Sequence, residues 1–205
     1  MKQRVAVSRS LVSVLLLLFG LLLYPYSLAQ AGDVTGSWQF DGNLEATVGL
    51  DGTFDGSAGT TAGEFGTCSS FGVPLVGGAD EQVYYYSFAT GSPGDAIRFL
   101  TNAAENGGGS RLNQYSLVLD ILHPDHSSWG SVFHGNANGN WDGDLWFRSG
   151  NGNMGDYGDY GSSAPAVNTW HRIVVSVDLT LASDQMQVYV DGAPHNAISS
   201  AAFAV

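Results

Sequence analysis

After residue 32 no stretch of the chain sustains the 3.6-residue apolar period of a packed helix. Short apolar runs are separated instead by clusters of Gly, Asp, Asn and Ser, which is turn chemistry. The fold class read from this pattern is all-β. The clearest strand is His171–Leu179, where Ile173, Val175, Val177 and Leu179 share one face and Arg172, Val174, Ser176 and Asp178 the other. Met186–Val190 follows, and Asp191-Gly192 closes it with the dipeptide that supplies positive φ in a tight hairpin. These two strands are expected to pair. Tyr115–Leu122 and the aromatic run Val83–Ala89 are further strands, with shorter ones at Gly36–Phe40, Ala96–Phe99, Trp129–Phe133 and Asp144–Arg148. Glycine-rich connections at 49–66, 106–110, 135–140 and 149–161 lie between them. Strands so spaced predict a two-sheet antiparallel sandwich or jelly roll. The small repeat Gly155-Asp156-Tyr157-Gly158-Asp159-Tyr160-Gly161 reads as a loop.

The first 31 residues belong to a different pattern. Lys2, Arg4 and Arg9 precede an apolar run from Leu11 to Leu23, then Pro25 and Ala29-Gln30-Ala31 before Gly32. A basic start, a short apolar stretch and small residues at the cut site make a secretory signal peptide spanning 1–31, with the domain in 32–205. The run falls short of the roughly 20 residues a membrane span needs. No stable membrane insertion is therefore expected after cleavage, and the protein is expected to be secreted, extracellular or in the cell envelope. The full chain has 7 basic and 19 acidic residues, for a net charge of −12. Losing Lys2, Arg4 and Arg9 leaves four basic residues against 19 acidic ones, or −15. A surface so acidic repels phosphate backbones, which excludes nucleic acid and favours neutral ligands or bound cations. Cys68 is the sole cysteine, so no intrachain disulfide or thiolate zinc cluster can form.

Four segments, in order, resemble the laminin G-like branch of the concanavalin A-like lectin/glucanase superfamily. They are Gly36–Phe40 with Asn43–Thr47; Gly107–Ile121; Asp142–Phe147; and Thr169–Asp178 with Met186–Gly192, where a Trp-His opens one strand and Tyr-Val-Asp-Gly ends the next. The resemblance implies a jelly roll of two curved antiparallel sheets. It also implies a glycan or extracellular protein as ligand, sometimes bound through calcium, and a module often appended to a larger exported enzyme or surface protein. The family pattern continues with further strands after that hairpin, whereas this chain stops at Val205, so the domain is expected to be C-terminally incomplete.

Asn138, Asn140, Asp142 and Asp144 place oxygen side chains at alternate positions, with Gly143 sixth in the run. This resembles the start of a calcium loop, although Ser149 replaces the bidentate Glu at the twelfth position. The alternative is a polar turn. Trp141 and Trp146 flank that segment, and Tyr157 and Tyr160 follow. Aromatic faces stack on the apolar side of sugar rings, so these four are the candidate ligand-binding residues. If Leu145 and Phe147 face the core, Asp144, Trp146 and Arg148 face away. Trp38 and Trp170 are expected to pack. His123-Pro124-Asp125-His126, with His134 further on, lacks a clear set of zinc ligands and reads as a proline turn with solvent-facing histidines. Gly150–Gly155 satisfies G-x-G-x-x-G literally, but no helix pattern follows it.

None of Glu45, Glu64, Glu81 or Glu105 stands in the paired-carboxylate motif of the superfamily's glucanases. The reading is a non-catalytic carbohydrate-binding module. Its alternatives are a protein-binding adhesion or scaffold domain and a fragment of a glycan-active hydrolase.

Overall fold

The computed structural model describes residues 33–55, 63–86, 96–108, 112–134, 145–156 and 159–198. Alternation in the sequence becomes alternation in burial. Along β12 (Trp170–Asp178) Ile173 and Val175 are fully enclosed, and Val177 nearly so, while Arg172 is exposed and Val174 and Ser176 are partly so. β12 pairs with β7 (Gln114–Leu122) through nine consecutive positions, from Trp170 opposite Leu122 to Asp178 opposite Gln114. On its other side β12 pairs with β13 (Met186–Val190), which turns into β14 (Ala193–Ile198). Both turn residues have positive φ, 52° at Asp191 and 80° at Gly192, which is the I′ geometry that Asp-Gly favours. The sheet order is β14-β13-β12-β7.

A second four-stranded sheet has the order β11-β10-β9-β8, made from β8 (Gly130–Phe133), β9 (Leu145–Phe147), β10 (Met154–Asp156) and β11 (Asp159–Tyr160). Leu145, Phe147 and Met154 from this sheet form one buried cluster with Ile173, Val175, Val177, Met186, Val188 and Ile198 from the other. That shared apolar layer makes the pair a sandwich. The strand class, the β12–β13 pairing and the inward facing of Leu145 and Phe147 agree with the sequence reading.

The N-terminal half is built otherwise. β1 (Ser37–Trp38) pairs with β2 (Ala46–Val48), β3 (Thr53–Asp55) with β6 (Ala96–Arg98), and β4 (Gly63–Thr67) with β5 (Gln82–Tyr86), each as a two-stranded ribbon. A single helical turn, α1 (Cys68–Phe71), follows β4, with Thr67 capping its start and Gly72 its end. Rings tie the ribbons together. Trp38 lies 4.5 Å from Phe99, Phe99 lies 5.9 Å from Phe40, and Tyr84 is 6.4 Å from Phe40, 5.8 Å from Phe54 and 5.0 Å from Phe65. Trp38 also donates its indole N–H to the Leu50 carbonyl, and Trp170 donates to Pro74, so both tryptophans pack as expected.

Two segments read as loops contain strands. The connection at 49–66 holds β3 and part of β4, and that at 149–161 holds β10 and β11. Glycine explains both the misreading and the structure. Gly150 and Gly152 adopt φ of 87° and 67° in the turn from β9 to β10, a conformation costly for other residues. Gly155 sits in β10, where a Cβ would lie 2.2 Å from the Asp159 carbonyl oxygen. The Gly-Asp-Tyr repeat therefore supplies two strand edges, with Gly155 opposite Tyr160 and Asp156 opposite Asp159.

Candidate functional site

The face of β8–β11 turned away from the core carries Trp129, Trp146 and Tyr160. Register places Ser131, Trp146, Gly155 and Tyr160 in one row across the four strands. Trp129 stands two residues before Ser131 and Arg148 two after Trp146, so both share that face. Gly155, between Trp146 and Tyr160 in this row, is buried against the β11 backbone. The Tyr160 ring lies 5.8 Å from the Trp129 ring, and the Arg148 guanidinium carbon stands 5.5 Å above Tyr160. The cation over a ring is an attractive arrangement. Trp129 remains 49% exposed. Trp146 is half-buried, with the His134 ring edge-on at 4.9 Å.

Two of the candidates named from the sequence, Trp146 and Tyr160, lie on this face, on one row. The sequence reading missed Trp129 and Arg148 as site residues, although the period-two rule applied from Ser131 would have found the former. Trp141, Tyr157, Asn138, Asn140, Asp142 and Asp144 lie outside the described residues. Among the described residues no group of three or more His, Cys, Asp or Glu side chains is arranged to hold a metal ion.

The histidines at the end of β7 are not solvent-facing. His123 packs on Phe147 with ring centroids 4.7 Å apart, and His126 lies 5.4 Å from His123. His126 also rests on Gly152, where a Cβ would come within 2.2 Å of the imidazole. The apolar Phe147 side and the glycine surface make this turn a good resting place for partly buried rings. Burial pushes the His123 imidazole below its ordinary pKa of 6.5, and the adjacent His126 acts in the same direction. Asp125, whose side chain accepts from the Ser127 hydroxyl and backbone N–H, is held below the usual carboxylate range by those bonds.

The Trp-His and Asp-Gly residues of the last segment serve architecture. His171 Nδ1 lies 2.7 Å from Asp191 Oδ2 and its Nε2 3.0 Å from the Ala166 carbonyl, while Asp191 Oδ1 accepts from the Arg172 backbone N–H. The hairpin turn is thereby fastened to β12. The hydrogen bond to His171, then that from Arg172, holds the Asp191 carboxyl below its usual range.

No family model, no curated protein and no solved structure matches this chain. Its function therefore has to be argued from the site. A shallow depression of about 320 Å³ on β13 and β14, lined by Gln187, Tyr189, Pro194 and His195 among others, lacks the aromatic density of the β8–β11 face. That face offers flat apolar ring surface, a cation and the Ser131 hydroxyl. Such a combination can stack and orient a neutral polar ligand. Among the described residues of that face no nucleophile–base pair is arranged for covalent chemistry.

Proposed function

We propose that this chain is an exported, non-catalytic carbohydrate-binding module, with the outer face of β8–β11 as its binding surface. The observation that carries the reading is the association of Trp129, Tyr160 and Arg148 beside Trp146, on the side of the sheet opposite the Leu145–Phe147–Met154 core. Trp129 is exposed and Trp146 and Tyr160 partly so, and ring faces held on a sheet lose little entropy on binding and present the apolar surface that pyranose rings recognise. The acidic net charge of −12 disfavours nucleic acid and anionic lipid as competitors.

The resemblance of the four sequence segments to laminin G-like modules belongs to the same reading, as do a jelly-roll arrangement of the sheets and removal of residues 1–31 on export. Calcium bound by Asn138, Asn140, Asp142 and Asp144 belongs to that reading as well.

The test is thermal unfolding of the exported protein across a panel of soluble glycans, with and without calcium. A ligand that prefers the folded state raises the midpoint by mass action. Stabilisation by one glycan class supports the reading. A panel without any shift, alongside a protein that unfolds cooperatively, would move the assignment to a protein-binding adhesion module.

A further inference from the structure

The turn that follows β7 and the turn between β9 and β10 are fastened to each other by a small set of contacts. Gly150 donates its backbone N–H to the His126 carbonyl at 2.6 Å, and the Ser149 hydroxyl donates to the Ser127 carbonyl at 2.9 Å. The His126 ring fills the space over Gly152, where a Cβ would lie 2.2 Å from it. The His123 ring sits 5.4 Å from His126 and 4.7 Å from Phe147, on which His126 also stacks at 6.4 Å with an interplanar angle of 23°. The His123 carbonyl accepts from the Asn168 N–H at 2.9 Å, so the same turn also holds the approach to β12. Two imidazoles therefore stand where β7 of one sheet meets β9 and β10 of the other.

This packing suits neutral rings. His126 Nε2 is enclosed without a hydrogen-bond partner, so a proton added there would leave a charged N–H donor buried and unpaired. A second imidazolium 5.4 Å away would add like-charge repulsion in a poorly solvated place. Burial first, then the neighbouring His126, hold the His123 imidazole below 6.5, and Asp125 opposes them.

The charges around the pair offer that one counterweight. The Asp125 carboxylate already accepts from the Ser127 hydroxyl and backbone N–H. Residues 149–153 and 166–168, which pack against the turn, carry no charged side chain. Arg148 places its guanidinium over Tyr160, Asp120 is engaged by Arg172, Asp191 by His171, and His134 lies against Trp146.

We propose that His123 and His126 form a pH-sensitive latch. Neutral, they clamp the turn between β9 and β10 onto the end of β7; protonated, they let that turn open while the rest of the sandwich stays folded. Opening gives the ring nitrogens access to water and breaks the Gly150–His126 and Ser149–Ser127 bonds. The turn is closed at its base by the Arg148 N–H on the Asn153 carbonyl and the Gly152 N–H on the Arg148 carbonyl, so the hinge lies beside Arg148.

The experiment is amide hydrogen exchange of the exported protein, resolved by NMR, with the ring protons of both histidines followed from pH 7.5 to 5. Protection of the Gly150 amide, taken relative to its intrinsic rate at each pH, should fall about tenfold per pH unit as the rings protonate, the slope of one proton excluded from the closed form. The amides of Val175 and Val177, held within the β12 ladders, should keep their protection over the same range. In the H123Q/H126Q double variant the slope at Gly150 should flatten. Unchanged protection at Gly150 while both rings protonate would overturn the proposal, and so would protection lost in step with Val175 and Val177. An undiminished slope in the folded double variant would overturn it too.

Discussion

The two halves of this molecule solve the same problem with different side chains. From β7 to β14 the core is mostly aliphatic, with Ile173, Val175, Val188, Met186 and Leu145 enclosed with Phe147 between two four-stranded sheets, one of which has long registers. From β1 to β6 the strands are two to five residues long, pair two by two among the described residues, and are tied by aromatic rings, of which Phe54 is still 42% exposed. β-Branched residues alternating along nine positions specify a register and one buried face, because a one-residue slip would turn every apolar group outward. Aromatic rings reach further and tolerate varied angles. They can therefore unite short ribbons that no ladder joins, at the cost of leaving ring edges in water.

The strongest way to break the contrast is to delete a ring from the aliphatic half. Phe147 is 2% exposed and contacts both the core and His123. Phe147→Ala should cost about 3–5 kcal/mol, measured by urea unfolding. Phe99 joins Trp38 to Phe40 in the other half and is half-buried. Phe99→Ala should cost roughly 2 kcal/mol, since part of its area already meets solvent and ring pairs add on the order of 1 kcal/mol. Equal costs would mean that the aromatic half is as tightly enclosed as the sandwich.

Acid should separate the halves more finely. All five histidines follow residue 122, and burial lowers the pKa of both His123 and His195 from 6.5. A group that binds its proton less well when folded leaves the unfolded chain with more protons below its unfolded pKa, so stability falls as pH drops through about 6.5. The carboxylates of Asp125, Asp178 and Asp191, held low by their hydrogen bonds, contribute stability above the ordinary carboxylate pKa that is lost as pH falls through their lowered values. Protection from hydrogen exchange, taken relative to the intrinsic amide rate at each pH, should fall first in β7–β14 between pH 7 and 5 and stay unchanged in the aromatic ribbons. Loss of protection beginning in β1–β6 would contradict this. The smallest effect belongs to the Arg172–Asp120 pair, which is exposed on both sides. Arg172→Ala should leave the midpoint of thermal unfolding nearly unmoved, because exposed ion pairs contribute little.

The same contrast explains what could be read in the sequence. His171–Leu179, Met186–Val190 and Asp191-Gly192 carry period-two patterning and a turn dipeptide, so their pairing and facing were legible before any coordinates. The ribbons β3 and β4 and the strands β10 and β11 were not. Glycines at 150, 152 and 155 mark loops by composition, yet they are required by one tight turn and a close backbone approach within sheet structure. At the site, alternation around Leu145 and Phe147 correctly turned Trp146 and Arg148 outward. The approach of Trp129 to Tyr160 spans strands at opposite edges of a sheet, and no local pattern encodes that.

The central claim is that the inner face of β8–β11 holds the fold while its outer face binds glycan. It is tested most directly by titrating Trp129→Ala and the unsubstituted protein with the glycan that stabilises the latter, with unfolding midpoints measured on the same samples. The account predicts a loss of affinity of about tenfold or more, the size of a buried aromatic contact on binding, with the midpoint essentially unchanged. Unchanged affinity, or a collapse of the midpoint comparable to that of Phe147→Ala, would contradict it.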